Sequence, residues 1–202
     1  MSIVLVGSTS GSVTLQEPAV AGTTVLDLPA TSGTVALTSQ IPASSGKVLQ
    51  VVSTIKTNTF TTTSSSYTDL TDLSVNITPT SASNKILVVT ALSYGGGPNS
   101  YGWAQLVRNG TAIALGDADG ATRIRCTFPL TMENTASTNA KLVCGGMTIL
   151  DSPATTSAIT YKVQVMSGYN SVTLSINRSS TNDNATYSGL GVSTITVMEI
   201  AA

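Results

Sequence analysis

Residues 160–166 read TYKVQVM, and the order of side chains over those positions decides the fold class. In extended backbone successive side chains point to opposite faces, so Tyr161, Val163 and Val165 share one face while Lys162 and Gln164 share the other. One apolar face and one polar face make a strand half buried against a core; a helix would need its apolar residues at intervals of three and four. The segment 171–176 repeats the pattern, with Val172, Leu174 and Ile176 expected inward.

Outward from that stretch the same signal recurs. Runs of Val, Ile, Thr, Leu and Tyr return roughly every ten to fifteen residues with Gly, Asn, Ser, Asp or Pro between them, the spacing of a sandwich or a barrel. Strands are expected at 48–56, 67–77, 85–93, 102–108, 112–115, 123–128, 140–150, 158–166, 171–177 and 193–200. No stretch carries capped helical periodicity, so the chain is read as all-β. Asn109-Gly110 between LVR and TAIAL predicts a two-residue hairpin turn, because both residues accept the positive φ of a type I′ turn. Gly168-Tyr169-Asn170 predicts another turn. Two runs, KILVVTAL (85–92) and LVCGGMTIL (142–150), are apolar on nearly consecutive positions and read as strands covered on both faces, by sheet or by a neighbouring subunit.

The composition narrows the function. The 202 residues carry nine Lys and Arg against ten Asp and Glu, only 9% charged in all, so no broad basic face exists for nucleic acid or an anionic membrane. Polarity is carried by Ser and Thr, which suit strands and turns. No apolar run reaches the roughly 18 residues of a membrane-spanning helix, and no basic residue precedes Lys47 to make a secretory leader, so synthesis in the cytoplasm and no membrane insertion are expected. Cys126 and Cys144, without a CxxC spacing, are read as buried free thiols.

The charge density also divides the chain. Before Lys47 only Glu17 and Asp27 are charged, and the short apolar runs 13–15, 25–28 and 35–37 alternate with Pro-, Gly- and Ser-rich breaks. IPASSG (41–46) reads as a linker, giving an attachment segment at 1–45 and a compact domain at 46–202. Runs that short cannot bury themselves. Val13, Leu15, Val25, Leu28, Val35 and Leu37 are therefore expected to be covered by sister chains or by a larger particle.

Histidine is absent, which excludes Ser-His-Asp and Cys-His catalysis and histidine metal sites. The carboxylates are scattered; the nearest pair, Asp117 and Asp119 in GDADG, reads as a turn, since a calcium loop would need a Glu further on and Arg123 stands nearby instead. No catalytic residues, cofactor or metal are assigned, and the chain is read as not an enzyme. Aromatic residues make up only 4%, which gives weight to SYGGGPNSYGW (93–103). Tyr94, Asn99, Tyr101 and Trp103 there are candidates for stacking on a sugar ring, while the plainer use of Trp103 is to plug the core. Asn-x-Ser/Thr triplets at Asn76, Asn109, Asn177 and Asn184 carry no signal in a chain so rich in Ser and Thr.

GSVTLQEPAVAGTTVLDLPATSGTVALTSQ (11–40) resembles the N-terminal segments of tailed-bacteriophage fibre and virion structural proteins. The phrases LSVNITPTSASNKILVV, LVRNGTAI, LDSPATTSAITYKVQV and GVSTITVMEI are similar to C-terminal β domains of the same class. The resemblance implies a homotrimer, an N-terminal attachment to other virion proteins of the capsid or tail, and a distal antiparallel β-sandwich of jelly-roll-like form that contacts a host-surface glycan or protein. The expected location is the virion. A capsid decoration protein without receptor binding is the alternative, and a polysaccharide-degrading enzyme using acidic residues is a third reading. The sequence departs from long tail fibres in showing neither an extended shaft nor a recognisable large tail-docking domain, which favours a capsid-bound fibre or knob over attachment to the tail.

Overall fold

A computed structural model describes residues 3–6, 9–10, 12–15, 46–97, 100–120, 122–131, 141–168 and 172–202. The chain divides into two compact units, Met1–Pro42 and Ala43–Ala202. In the first, strands β1 (Ile3–Val6) and β2 (Ser12–Leu15) pair antiparallel.

The second unit is all strand and turn among the described residues. Its elements are β3 (Val48–Lys56), β4 (Phe60–Thr62), β5 (Thr68–Ile77), β6 (Lys85–Gly96), β7 (Tyr101–Arg108), β8 (Thr111–Ile113), β9 (Phe128–Thr131), β10 (Val143–Asp151), β11 (Ile159–Ser167), β12 (Leu174–Ile176) and β13 (Ser193–Ile200). They form two antiparallel sheets. The first is built on β6: β13 and then β12 run along one of its edges, β3 and β4 lie outside them, and β10 occupies the other edge. The second runs β5-β11-β7, with β8 and β9 sharing the far edge of β7.

The alternation that predicted these strands is the one that fills the core. Tyr161, Val163 and Val165 of β11 are fully buried, beside Leu73, Val75 and Ile77 of β5 and Ala104 and Leu106 of β7; opposite them stand Ile86, Val88 and Leu92 of β6 with Ile195 and Val197 of β13. Each such aliphatic side chain contributes about 1.5–3 kcal/mol by leaving water. On β5 the inward phase shifts between Leu70 and Leu73, with Asp72 at φ 62. That bulge sets the five steps from Asp69 to Ser74 against the two steps from Lys162 to Gln164, and so keeps both leucines in the core. The Asn109-Gly110 turn has φ of 48 and 85, as the hairpin between β7 and β8 requires.

The sheets are tied at both sides. Thr54 Oγ1 of β3 donates to the Ser74 carbonyl of β5 at 2.8 Å. On the other side Asp151, at the end of β10, accepts from Arg108 Nη1 of β7 through both oxygens at 2.8 Å and from the buried Tyr161 hydroxyl of β11 at 2.6 Å.

Several expectations need correction. Residues 123–127 lie outside the strands, and β9 begins only at Phe128, because Thr127 is used as a joint: its hydroxyl accepts from Leu106 N and donates to Ile113 O, filling the gap between β8 and β9. KILVVTAL is a central strand, but LVCGGMTIL is an edge strand that pairs with β6 alone among the described strands, and Met147 and Leu150 are exposed. The two cysteines are free, yet Cys144 is exposed and Cys126 only half buried, because Cys144 falls on the outward face of that edge strand.

Candidate functional site

The aromatic cluster separates between the two sheets. Tyr94 stands on the inward face of β6 with only 6% of its surface exposed, packed in the core, and burial raises its phenol pKa. Inward parity from Leu92 makes this unavoidable, and it removes Tyr94 from any contact surface. Tyr101 and Trp103 lie on β7, two residues apart and out of phase with the buried Gly102, Ala104 and Leu106, so both occupy the outer face of the second sheet. Trp103 is therefore half buried on the outside and does not plug the core. Tyr101 keeps 44% of its surface. Asn99 lies outside the described residues, as do Val25, Leu28, Val35 and Leu37; of Val13 and Leu15 only the strand backbone is described.

The cross-strand partners of Trp103 are Met166 of β11 and Pro129 of β9. The chain leaves β11 tightly over the pair: Gly168 N donates to the Tyr101 carbonyl at 2.5 Å, and a Cβ on Gly168 would stand 2.5 Å from Trp103 Nε1. Only glycine permits that approach. Met166 also floors an open depression of about 470 Å³ lined by Ser65, Ser66, Tyr67, Arg123, Ile124 and Arg125. The depression and the aromatic pair thus share Met166.

The walls of this depression are fixed by hydrogen bonds. Tyr67 Oη donates to the Arg125 carbonyl at 2.8 Å, Arg125 Nε donates to the Gly116 carbonyl at 2.6 Å, and Arg123 pairs with Asp119 at 2.5 Å. Burial, with a smaller push from Cys126, holds the Tyr67 phenol well above its usual pKa, so it remains a neutral donor and not a base. Asp119 of GDADG is spent on Arg123, and among the described residues no three His, Cys, Asp or Glu come together to hold a metal. What the surface offers is two rings' worth of stacking area, hydroxyls and guanidinium edges, the inventory that binds polyhydroxylated or amide-bearing ligands.

A second cavity, of about 240 Å³, lies within the loop 178–190 and is lined among others by Arg178, Asn182, Asp183 and Asn184. The loop is closed at its base by the Arg178–Leu190 bridge and by Gly191 N donating to the Asn177 carbonyl. Asn177 is the anchor. At φ 61 and fully buried, it donates from Nδ2 to the carbonyls of Lys56 and Asn58 and accepts from Ser193 Oγ at 2.6 Å. An Asn-Arg-Ser triplet gives no hint of this, because the partners come from 121 and 119 positions upstream and 16 downstream. Nor did the depression announce itself: its walls come from three separate segments with no local motif.

No protein-family model matches the chain, and no curated protein matches it either.

Proposed function

We propose that this chain is a bacteriophage virion structural protein, a short trimeric fibre or spike. Residues 1–45 attach it to other virion proteins, and residues 46–202 form a β-sandwich knob, jelly-roll-like in topology, that binds a host-surface glycan or protein. The N-terminal phrase GSVTLQEPAVAGTTVLDLPATSGTVAL supports the particle, and the observation that carries the adhesive role is the pairing of Tyr101 and Trp103 outside the core beside an open depression of mixed character. Half-exposed aromatic residues in a chain with so few are better accounted for by a ligand than by packing.

Replacing Tyr101 and Trp103 together by Ala should reduce adsorption of particles to host cells about tenfold or more, since stacked aromatic side chains dominate such contacts. Unchanged adsorption with intact folding would end the assignment. A decoration protein that stiffens the capsid is the second reading, favoured by the nearly uncharged outer face of the first sheet with its exposed Val51, Ile55 and Leu150. Particles lacking the protein would then burst earlier on heating or osmotic shock, whereas loss of an adhesin leaves the head as robust as before.

A further inference from the structure

On the outward side of the first sheet, register places Val51, Met198, Leu87 and Leu150 in one row across β3, β13, β6 and β10. The next row is Ser53, Thr196, Val89 and Thr148, and the third is Ile55, Thr194, Ala91 and Gly146. Val51, Ile55 and Leu150 are 56%, 62% and 53% exposed. Along these strands the only charge on that face is Lys85 at the rim, where it donates to Ser152 Oγ at 2.9 Å. Apart from that lysine the face is uncharged, and its exposed aliphatic side chains are separated only by small residues and by Ser and Thr, a surface that invites a partner.

We infer that this face seats a second copy of the same chain, so that the first sheet is the surface through which the knobs associate. The inference rests on the self-association in the proposed function and names where it occurs. Three features select a sister copy as occupant. The face is neutral, so sister copies come together on it without like charges apart from the rim lysine, whereas a charged partner would find no countercharge there. Its extent is sufficient: four strands about 4.8 Å apart and some nine residues long at about 3.3 Å each give roughly 600 Å² per copy, near the lower limit of a specific interface. Finally, β10 has the composition of a covered strand, yet no further strand of the described chain covers it; uncharged over 143–150, it lacks the lysine or proline that normally guards an exposed edge.

The test uses the full chain, with sedimentation to give its mass and hydroxyl-radical footprinting to read each side chain. An oligomer in which Val51, Ile55 and Leu150 are modified about fivefold or more slowly than the comparably exposed Ile124 is expected, because an interface core excludes water. V51D/L150D should abolish that protection, and T148R, a change at a solvent-exposed position, should do the same if the double variant fails to fold. An oligomer with the face freely modified would overturn this interface while leaving self-association intact. A monomer with an open face would overturn both. A monomer with a protected face would show that the chain's own residues cover it, which also refutes the proposal.

Discussion

The two sheets distribute polarity in opposite ways. The second follows the usual rule: its inner face is apolar, and its outer face carries a connected polar ladder in which Lys162 Nζ and Gln164 Nε2 both donate to Asp69 at 2.7 Å and Gln105 Nε2 donates to Gln164 at 2.6 Å. The first sheet is partly inverted. Its outer face is nearly uncharged, while Lys56, Thr90, Asn177, Ser193 and Glu199 turn inward and are buried. Buried polar groups are stable only when their hydrogen bonds are made, so this sheet holds its strands together with an interior network and leaves its outer face free for apolar contact. The second sheet can face water without help. The first cannot do so comfortably.

Glu199 shows how the inversion is sustained. Its fully buried carboxylate accepts from Asn84 Nδ2 at 2.6 Å, Gln50 Nε2 at 2.6 Å, Thr80 N at 2.7 Å and Thr80 Oγ1 at 2.8 Å. Burial alone would raise its pKa, but the combined donors outweigh that and hold it at about 2, below the ordinary 4.5. Lys56 is likewise enclosed, donating to Asn58 Oδ1 at 2.6 Å with Asp72 at 4.0 Å.

Damage to the inner network should therefore cost far more than damage to the outer ladder. The largest effect is expected for Asn177→Ala, which strands the buried Lys56 carbonyl, the partly buried Asn58 carbonyl and the Ser193 hydroxyl; a loss of roughly 3–5 kcal/mol in denaturant unfolding follows from unsatisfied buried groups at about 1–3 kcal/mol each. A loss under about 1 kcal/mol would mean that the network is not what closes this end of the sheet. Next comes Glu199→Gln, which turns an amide toward donors and should cost about 1–3 kcal/mol at neutral pH.

The pH dependence of the same site sharpens the point. Because Glu199 has a lower pKa folded than unfolded, its contribution is complete above about 4.5 and is lost as pH falls toward about 2. Thermal melts of the wild type should therefore decline over that window, with a shallower decline in the Gln variant. Equal slopes would show that other carboxylates dominate acid unfolding. Hydrogen bonds from Lys162 and Gln164 also lower the Asp69 pKa, but that group lies in water. The smallest effect is accordingly predicted for Asp69→Ala or Lys162→Ala, about 0–1 kcal/mol and reduced further by salt. A larger loss there would erase the distinction between the faces.

Much of the framework was legible in the residues. The period of two in TYKVQVM, the Asn109-Gly110 turn and the all-β reading came from backbone geometry, which acts locally and writes itself into adjacent positions. The strand at 48–56 and the strand at 193–200 were read to their ends. Parity could also have placed Tyr94: it is in phase with Leu92, so a strand extended to Gly96 puts it in the core. The Gly-rich composition obscured that extension, since glycine signals a turn more often than a strand.

What the sequence by itself determined was which side chains alternate, where the chain turns and that strands must pair. Only the tertiary structure decided which strand would be an edge, that Trp103 faces outward, that Asn177 ties together strands far apart in sequence, and that a carboxylate at position 199 would be buried among four donors. Alternation separates two faces but carries no label saying which neighbour covers each one; that depends on sheet order, set by contacts between residues distant in the chain.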